Sequence, residues 1–279
     1  MNELIYHPHP FFPVFFGKQL TAQAVDVLRE RFNDFGSGNE IAYVSPMAAT
    51  DTLMPSLRPK SFLLSDTDAC VVDTLDWFWL DKERLKEKYL EKVASLGEEE
   101  HAVLRKQLNK LMRAPLAEKA SLFLALMRRS NKAFNPYAED GSFIAKYAYS
   151  QKTDAMFCAS VDAMFSVASE DTKGMVLRRT FDDGLMESVS WVQDNAIPKA
   201  VVYMDLRANE PNHALRANIA SYCSMAVNRM NGRLRVFILT HDVTAFTSMF
   251  SGMPVSEPVK HDLGTVDGKG VPEVCLEVM

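Results

Sequence analysis

The sequence has none of the features that mark a membrane-spanning or secreted protein. Its 279 residues contain no apolar run of about 18, the length that spans a bilayer. The first eight residues lack the basic start and the continuous apolar core of a signal peptide. The four cysteines are far apart and form no CxxC pair, which predicts reduced, buried thiols. We therefore expect a soluble, cytoplasmic protein that does not associate with membranes.

A large excess of charge of either sign is also missing. The formal net charge is −5, with 24% charged and 47% hydrophobic residues, as in ordinary globular proteins. A mildly acidic chain does not bind nucleic acid through its overall charge, although a local basic groove is compatible with this average. Nucleic acid is therefore a partner that stays open but that the net charge does not indicate.

The common catalytic signatures are absent as well. No GxxxxGK[ST] loop, no GxGxxG after a strand and no HExxH helix occurs, so the familiar nucleotide and zinc motifs are excluded. A GxSxG elbow and the protein-kinase motifs are also missing. These absences favour, by a small margin, a protein that is not an enzyme and that needs no cofactor.

The clearest pattern that is present predicts a strand, a helix and a strand over residues 199–242. Residues 199–205 and 233–242 are apolar runs that end in carboxylates, as in strands covered on both faces. Between them, an apolar stripe at helical spacing begins after Asn212, a suitable N-cap, and Asn231-Gly232 ends it. Such a helix can return the chain so that the strands lie parallel. An antiparallel split arrangement is the alternative.

Shorter patterns predict the remaining elements. Thr21 is a candidate N-cap for a helix that Gly36 ends. Asp182-Asp-Gly184 has the composition of a hairpin turn, which would join strands at 175–181 and 181–189. The other predicted elements are short strands at 40–45, 60–65 and 69–73, a short helix at 243–250 and a last strand at 272–279.

Helical patterns over residues 76–133 interrupt the predicted strands. Residues 81–113 carry charges of both signs and are broken by Gly97, which predicts a solvated helical hairpin that projects from the body. A third, buried helix follows, with Pro115 in its first turn. The predicted fold is α/β or α+β, with a mixed sheet, a C-terminal β-α-β unit and this insertion. One globular domain over 1–279 is expected; the alternative is two parts, 1–135 and 136–279.

Asp205 and Asp242, which end the two apolar runs of the β-α-β unit, are the candidate site residues. If the strands are parallel, both carboxylates lie at one edge of the sheet and could bind Mg²⁺ or Mn²⁺. The ion could activate water for phosphoester hydrolysis, with His241 as a third catalytic candidate. The competing interpretation is structural, because Asp242 could be the N-cap of the following helix.

Two functions remain open from the sequence. The leading hypothesis is a non-enzymatic binding or assembly subunit of a bacterial or phage-type system, although no particular residue indicates that origin. It would act through protein partners or self-association, using the helical hairpin and residues 7–16, which hold four Phe and three Pro. The alternative is a metal-dependent hydrolase, such as a nuclease, built on Asp205 and Asp242.

Overall fold

The structure is a computed structural model that describes residues 20–38, 40–57, 59–94, 96–111, 117–130, 136–148, 158, 162, 173–207, 211–265 and 272–279. The N-terminal segment 7–16 lies outside these residues. The elements, in chain order, are α1 (Ala22–Phe35), β1 (Ile41–Ser45), a 3₁₀ turn (Ala48–Thr50), α2 (Met54–Leu57), β2 (Ser61–Asp66), α3 (Ala69–Ala94), α4 (Glu98–Leu111), α5 (Ala117–Arg128), β3 (Lys173–Arg178), α6 (Phe181–Asp194), β4 (Lys199–Asp205), α7 (His213–Met230), β5 (Leu234–Thr240), α8 (Val243–Met249), β6 (Val259–Thr265) and β7 (Pro272–Val278).

The strands form one seven-stranded mixed sheet in the order β3-β2-β1-β4-β5-β7-β6. Neighbours from β3 to β5 are parallel, whereas β7 is antiparallel to both β5 and β6. The predicted α/β class and mixed sheet are confirmed. Because β4 and β5 pair in parallel, with Ala200 opposite Leu234, the antiparallel split arrangement does not occur.

Helices cover both faces of the sheet, which explains why its strands are continuously apolar. Alternate side chains of β1 and β4 enter opposite layers: Tyr43 and Tyr203 pack with the helices α1, α3 and α5, and Val44 and Val202 pack with α6, α7 and α8. No helix in the described part of the chain combines the length and the apolar character that would let it span a bilayer.

The predicted helix caps are confirmed. The Thr21 hydroxyl accepts a hydrogen bond from the Ala24 N–H at 3.1 Å, and the Asn212 side chain accepts one from the Leu215 N–H at 2.9 Å. Helix α7 ends where two residues with positive φ follow, Asn231 at 49° and Gly232 at 76°. The helix therefore ends at Asn231-Gly232, as predicted, and Asn231 is left-handed as well as the glycine, a conformation that asparagine tolerates better than most residues.

The predicted strand at 69–73 is wrong, because these residues form the first turn of α3. The Asp68 carboxylate accepts a hydrogen bond from the Cys70 N–H at 2.8 Å and so satisfies a donor that a helix start leaves free. This local cap outweighs the β-branched pair Val71-Val72, whose strand preference is a weak effect. The sequence analysis also predicted no strand at β6, Val259–Thr265.

The predicted hairpin around Asp182-Asp-Gly184 is also wrong. Residues 173–178 form β3, but the turn residues lie in the first turn of α6, where aspartates interact well with the helix dipole. Gly184 is needed for close packing instead: a Cβ added there would lie 2.2 Å from Oγ of Ser65 in β2. Glycine thus brings α6 close to the sheet.

The described residues of the insertion at 76–133 are mainly helical, but the hairpin does not project into solvent. Helix α3 starts at Ala69 and bends at Asp81, whose backbone is not helical. Both α3 and α4 pack on α5. Leu85, Tyr89 and Leu108 are at most 1% exposed and belong to the core on that face of the sheet. The prediction of a solvated hairpin that projects from the body is therefore wrong, because the inner side of the hairpin belongs to the core.

Candidate functional site at the carboxyl edge of the sheet

The strand order reverses between β1 and β4, and open α/β sheets bind their ligands beyond the carboxyl ends of the strands at such a switch point. Polar side chains gather there on the layer that faces α1, α3 and α5. We call this group the switch-point cluster; its members are Tyr43, Ser45, Asp51, Tyr203, Asp205 and Arg207. Four come from the strands themselves, and the turns after β1 and β4 supply Asp51 and Arg207.

Asp205, the last residue of β4, forms a buried ion pair with Arg207. The Arg207 Nε donates to Oδ1 at 2.9 Å and Nη2 donates to Oδ2 at 2.7 Å, which makes the contact bidentate. The Arg207 backbone N–H donates to Oδ1 as well, at 3.1 Å. Asp205 is 1% exposed and Arg207 is 3% exposed. The chain therefore supplies its own cation to the carboxylate that we predicted as a metal ligand.

Asp242 follows β5 on the same edge and has two local partners. Its Oδ1 accepts a hydrogen bond from the Ala245 N–H at 3.2 Å, so it is the N-cap of α8, and its Oδ2 lies 2.7 Å from Nη1 of Arg216. His241 is exposed at the end of β5. The structure thus brings Asp205 and Asp242 to adjacent parallel strands, as predicted, but each carboxylate is held by an arginine.

The arrangement of potential metal ligands agrees with this description. Within the residues that the structure describes, no group of three or more His, Cys, Asp or Glu side chains is placed to hold one ion. A site on Asp205 and Asp242 would need both carboxylates to leave their arginines.

The sequence prediction missed Asp51, which lies after β1. Its Oδ1 accepts hydrogen bonds from the N–H groups of Leu53 and Met54, at 2.9 and 3.0 Å, and its Oδ2 accepts one from the Tyr43 hydroxyl at 2.8 Å. Burial raises the pKa of the Asp51 carboxyl, and these hydrogen bonds only partly oppose the shift. An Asp two residues before a short apolar stretch is a turn signal that could have drawn attention to it.

Two further aspartates, Asp66 and Asp68, lie at the end of β2. The Asp66 carboxylate accepts hydrogen bonds from the N–H groups of Ala49 and Asp68, each at 2.9 Å, and so ties the turn after β1 to β2. Burial raises the pKa of both carboxyls. The turn after β1 contains no glycine, and aspartates hold its N–H groups at 49, 53 and 54.

Two hydroxyl groups of the switch-point cluster have no hydrogen-bond partner. Tyr203 is fully buried, Ser45 is 1% exposed, and neither hydroxyl forms a hydrogen bond. The Ser45 hydroxyl is near enough to Asp51 to lower its pKa, but the geometry falls short of a hydrogen bond. The Tyr203 ring stacks on Tyr43 with 6.5 Å between ring centres. Burial, followed by the negative charge of Asp205, raises the pKa of Tyr203 well above its usual value.

Comparison with known proteins adds no family to this description. No protein-family model matches the chain, and no curated protein matches it at a significant level. The side chains of the carboxyl edge are therefore the ground on which a function can be proposed. Three of them, Asp51, Tyr203 and Arg207, were not predicted. Tyr203 meets Tyr43 across strands that the sequence does not show to be adjacent. Asp51 and Arg207 contact residues close to them in the chain, so the turn signal at Asp51 and the spacing of Asp205 and Arg207 could have found them.

Proposed function

We propose that this protein is a non-enzymatic binding or assembly subunit that works in the cytoplasm through protein–protein contacts. The observation that carries the proposal is the buried ion pair between Asp205 and Arg207 at the switch point. A carboxylate that binds a catalytic metal needs free oxygen lone pairs directed at the ion. Here both oxygens of Asp205 accept hydrogen bonds from the guanidinium of the same chain.

The turn after β1 also supports a function without a nucleotide ligand. In doubly wound proteins a Gly-rich turn and the N–H groups at a helix start hold the phosphates of the ligand. In this chain the turn has no glycine, and Asp51 takes the N–H groups of Leu53 and Met54. A phosphate there would meet a carboxylate in place of free donors, so phosphate-bearing substrates are disfavoured.

The second candidate is a metal-dependent hydrolase, which one observation favours. Asp205 ends β4 and Asp242 follows the adjacent parallel strand β5, so both residues lie at the carboxyl edge of the sheet. Mg²⁺ or Mn²⁺ would then compete with the guanidinium groups of Arg207 and Arg216. The Arg207 contact is the stronger competitor, because it is bidentate and buried.

Thermal unfolding in the presence of metal separates the two candidates. An ion that binds only the folded protein raises its melting temperature by mass action. We expect Mg²⁺ or Mn²⁺ to shift the melting temperature no more than sodium chloride of equal ionic strength does. We also expect no hydrolysis of a phosphodiester substrate. A shift that Asp205→Asn abolishes and that Asp262→Asn, an exposed matched control, leaves intact would make the hydrolase the leading function.

The outer side of the helical insertion is the described surface that we propose for protein contacts. Leu90 on α3 and Val103 on α4 are 44% and 64% exposed among charged neighbours. Light scattering after gel filtration should show a mass above that of one chain, or a lysate partner should co-purify. Leu90→Glu with Val103→Glu should abolish that association, whereas Leu215→Glu on α7, which is 41% exposed, should not. Equal effects of both changes would contradict the assignment of this surface.

A further inference from the structure

A groove that opens to solvent lies on the outer side of the helical layer formed by α6, α7 and α8. Residues of α6, of α7 and of the segment after α8 line it. Its volume of about 630 Å³ falls within the range of about 300–1,000 Å³ that is usual for small-molecule sites. The groove and the helical insertion lie on opposite faces of the sheet, so the surface proposed for protein contacts does not include it.

Methionine side chains from all three segments give the groove a mostly apolar lining. Met186 belongs to α6, Met225 to α7, and Met253 lies beside Pro254 after α8. Met225 is 50% exposed, so this apolar surface is in contact with water. Methionine is unbranched and flexible, and it adapts to ligands of irregular shape. A flexible apolar chain that filled the groove would therefore remove apolar surface from water, which is favourable.

Arg229 in the last turn of α7 supplies a positive charge to the lining. A cation is favourable at the end of a helix whatever lies nearby, so this position alone does not indicate a site. The side chain is exposed, its Nη2 donates to Oγ of Ser190 at 3.4 Å, and no carboxylate of the described residues forms an ion pair with it. The guanidinium therefore has N–H donors available for an acidic group of a ligand in the groove.

We infer that the protein binds a medium-chain carboxylate in this groove. The carboxylate pairs with Arg229, because a guanidinium matches the geometry of a carboxylate with two parallel hydrogen bonds. The apolar chain lies against Met186, Met225 and Met253. A cationic amphiphile of the same length does not fit, because Arg229 would repel its head group. A short carboxylate such as acetate has too little apolar surface to gain from the methionines.

The inference goes beyond the proposed function and can fail without it, because the two surfaces lie on opposite faces of the sheet. Equilibrium dialysis of the full chain against radiolabelled octanoate measures the binding directly. We expect saturable binding that unlabelled octanoate displaces. Acetate and octyltrimethylammonium, each at the same concentration, should displace at least tenfold less. Absence of saturable octanoate binding would overturn the inference, and so would equal displacement by octyltrimethylammonium.

Two variants locate the site. Arg229→Gln removes the charged partner of the carboxylate and should raise the dissociation constant for octanoate at least tenfold. Met225→Glu places a negative charge in the groove and should abolish binding. The matched controls are Arg233→Gln and Leu215→Glu, which change an exposed arginine and an exposed apolar side chain that do not line the groove. Both controls should bind octanoate like the wild type. Unchanged affinity in Arg229→Gln would refute the site.

A second copy of the chain is the competing occupant of the groove. Sedimentation equilibrium without octanoate tests it, because Met225→Glu would disrupt an interface that covers the methionines. We expect Met225→Glu and the wild type to have the same mass in solution. A dimeric wild type that becomes monomeric in Met225→Glu would show that the groove is an interface between copies, and the inference would fall.

Discussion

The two sides of the switch point hold their buried carboxylates in opposite ways. On the side of β1 and β2, Asp51, Asp66 and Asp68 accept hydrogen bonds mainly from backbone N–H groups, and burial raises the pKa of each. On the side of β4, β5 and β7, the carboxylates pair with cations. Asp205 pairs with Arg207, and Glu277 in β7 contacts both Arg235 and His261.

The difference shows what decides the charge state of a buried acid. Burial alone would raise the pKa of Glu277, but His261, at 2.6 Å, and Arg235, at 2.8 Å, outweigh it, and the pKa is lowered. Asp51 has neutral donors only, and for it burial dominates. Neutral hydrogen bonds compensate part of the lost hydration, whereas a full positive charge compensates most of it.

The largest expected effect concerns the cation at β4. Arg207→Met leaves Asp205 buried without its partner and should lower the free energy of unfolding by about 3–5 kcal/mol, measured by urea denaturation. Arg216→Met removes the arginine from Asp242, whose side chain is 43% exposed, and should cost less than about 1 kcal/mol. Equal losses in the two variants would show that burial does not determine how much the ion pair between Asp205 and Arg207 contributes to stability.

A smaller effect distinguishes the two stacked tyrosines. Tyr43→Phe removes the hydrogen bond to the Asp51 carboxylate and should cost about 1.5–3 kcal/mol, as for other hydrogen bonds to charged groups. Tyr203→Phe removes a hydroxyl without a partner, so stability should stay the same or rise by up to about 1 kcal/mol. A loss in Tyr203→Phe as large as that in Tyr43→Phe would mean that its hydroxyl is hydrogen-bonded in solution.

Asp242 should have a smaller effect again. Asp242→Ala removes the N-cap of α8 and should lower the free energy of unfolding by about 0.5–2 kcal/mol. Asp242→Ser keeps a capping oxygen and loses the contact with Arg216, so it should recover most of that loss. If Ser recovers nothing, the ion pair with Arg216 is the stabilising interaction and the cap is not.

The last prediction is the direction in which the free energy of unfolding changes with pH. Asp51 has a folded-state pKa above its ordinary 3.8, so its contribution is fully present below that value and is lost as pH rises through the folded pKa. Glu277 has a folded-state pKa below 4.5, so its contribution is present above 4.5 and is lost as pH falls through the folded pKa.

Urea midpoints measured from about pH 3 to about pH 8 test both directions. Asp51→Asn should remove part of the loss toward higher pH, and Glu277→Gln should remove part of the loss toward acid. Asp66 and Asp68 act in the same direction as Asp51, so the difference between wild type and variant is the quantity to compare. Parallel pH profiles for wild type and Asp51→Asn would refute the assignment for Asp51.

Local patterns in the sequence were sufficient for the elements that carry their own signals. Residues close together in the chain determine the caps at Thr21 and Asn212, helix α7 and the apolar strands β4 and β5. They depend on hydrogen bonds over three or four residues and on apolar spacing, both of which can be read locally. The N-cap at Asp242, given as the structural alternative, belongs to this group.

The tertiary structure alone decided the rest. Gly184 leaves room for Ser65, more than a hundred residues earlier in the chain, and the inner side of the hairpin is buried because it packs on α5. The meeting of Asp51, Tyr203 and Arg207 depends on the reversal of strand order between β1 and β4. Local sequence determines what a segment prefers, whereas burial and charge depend on which distant segments become neighbours, and these decide what the carboxyl edge can bind.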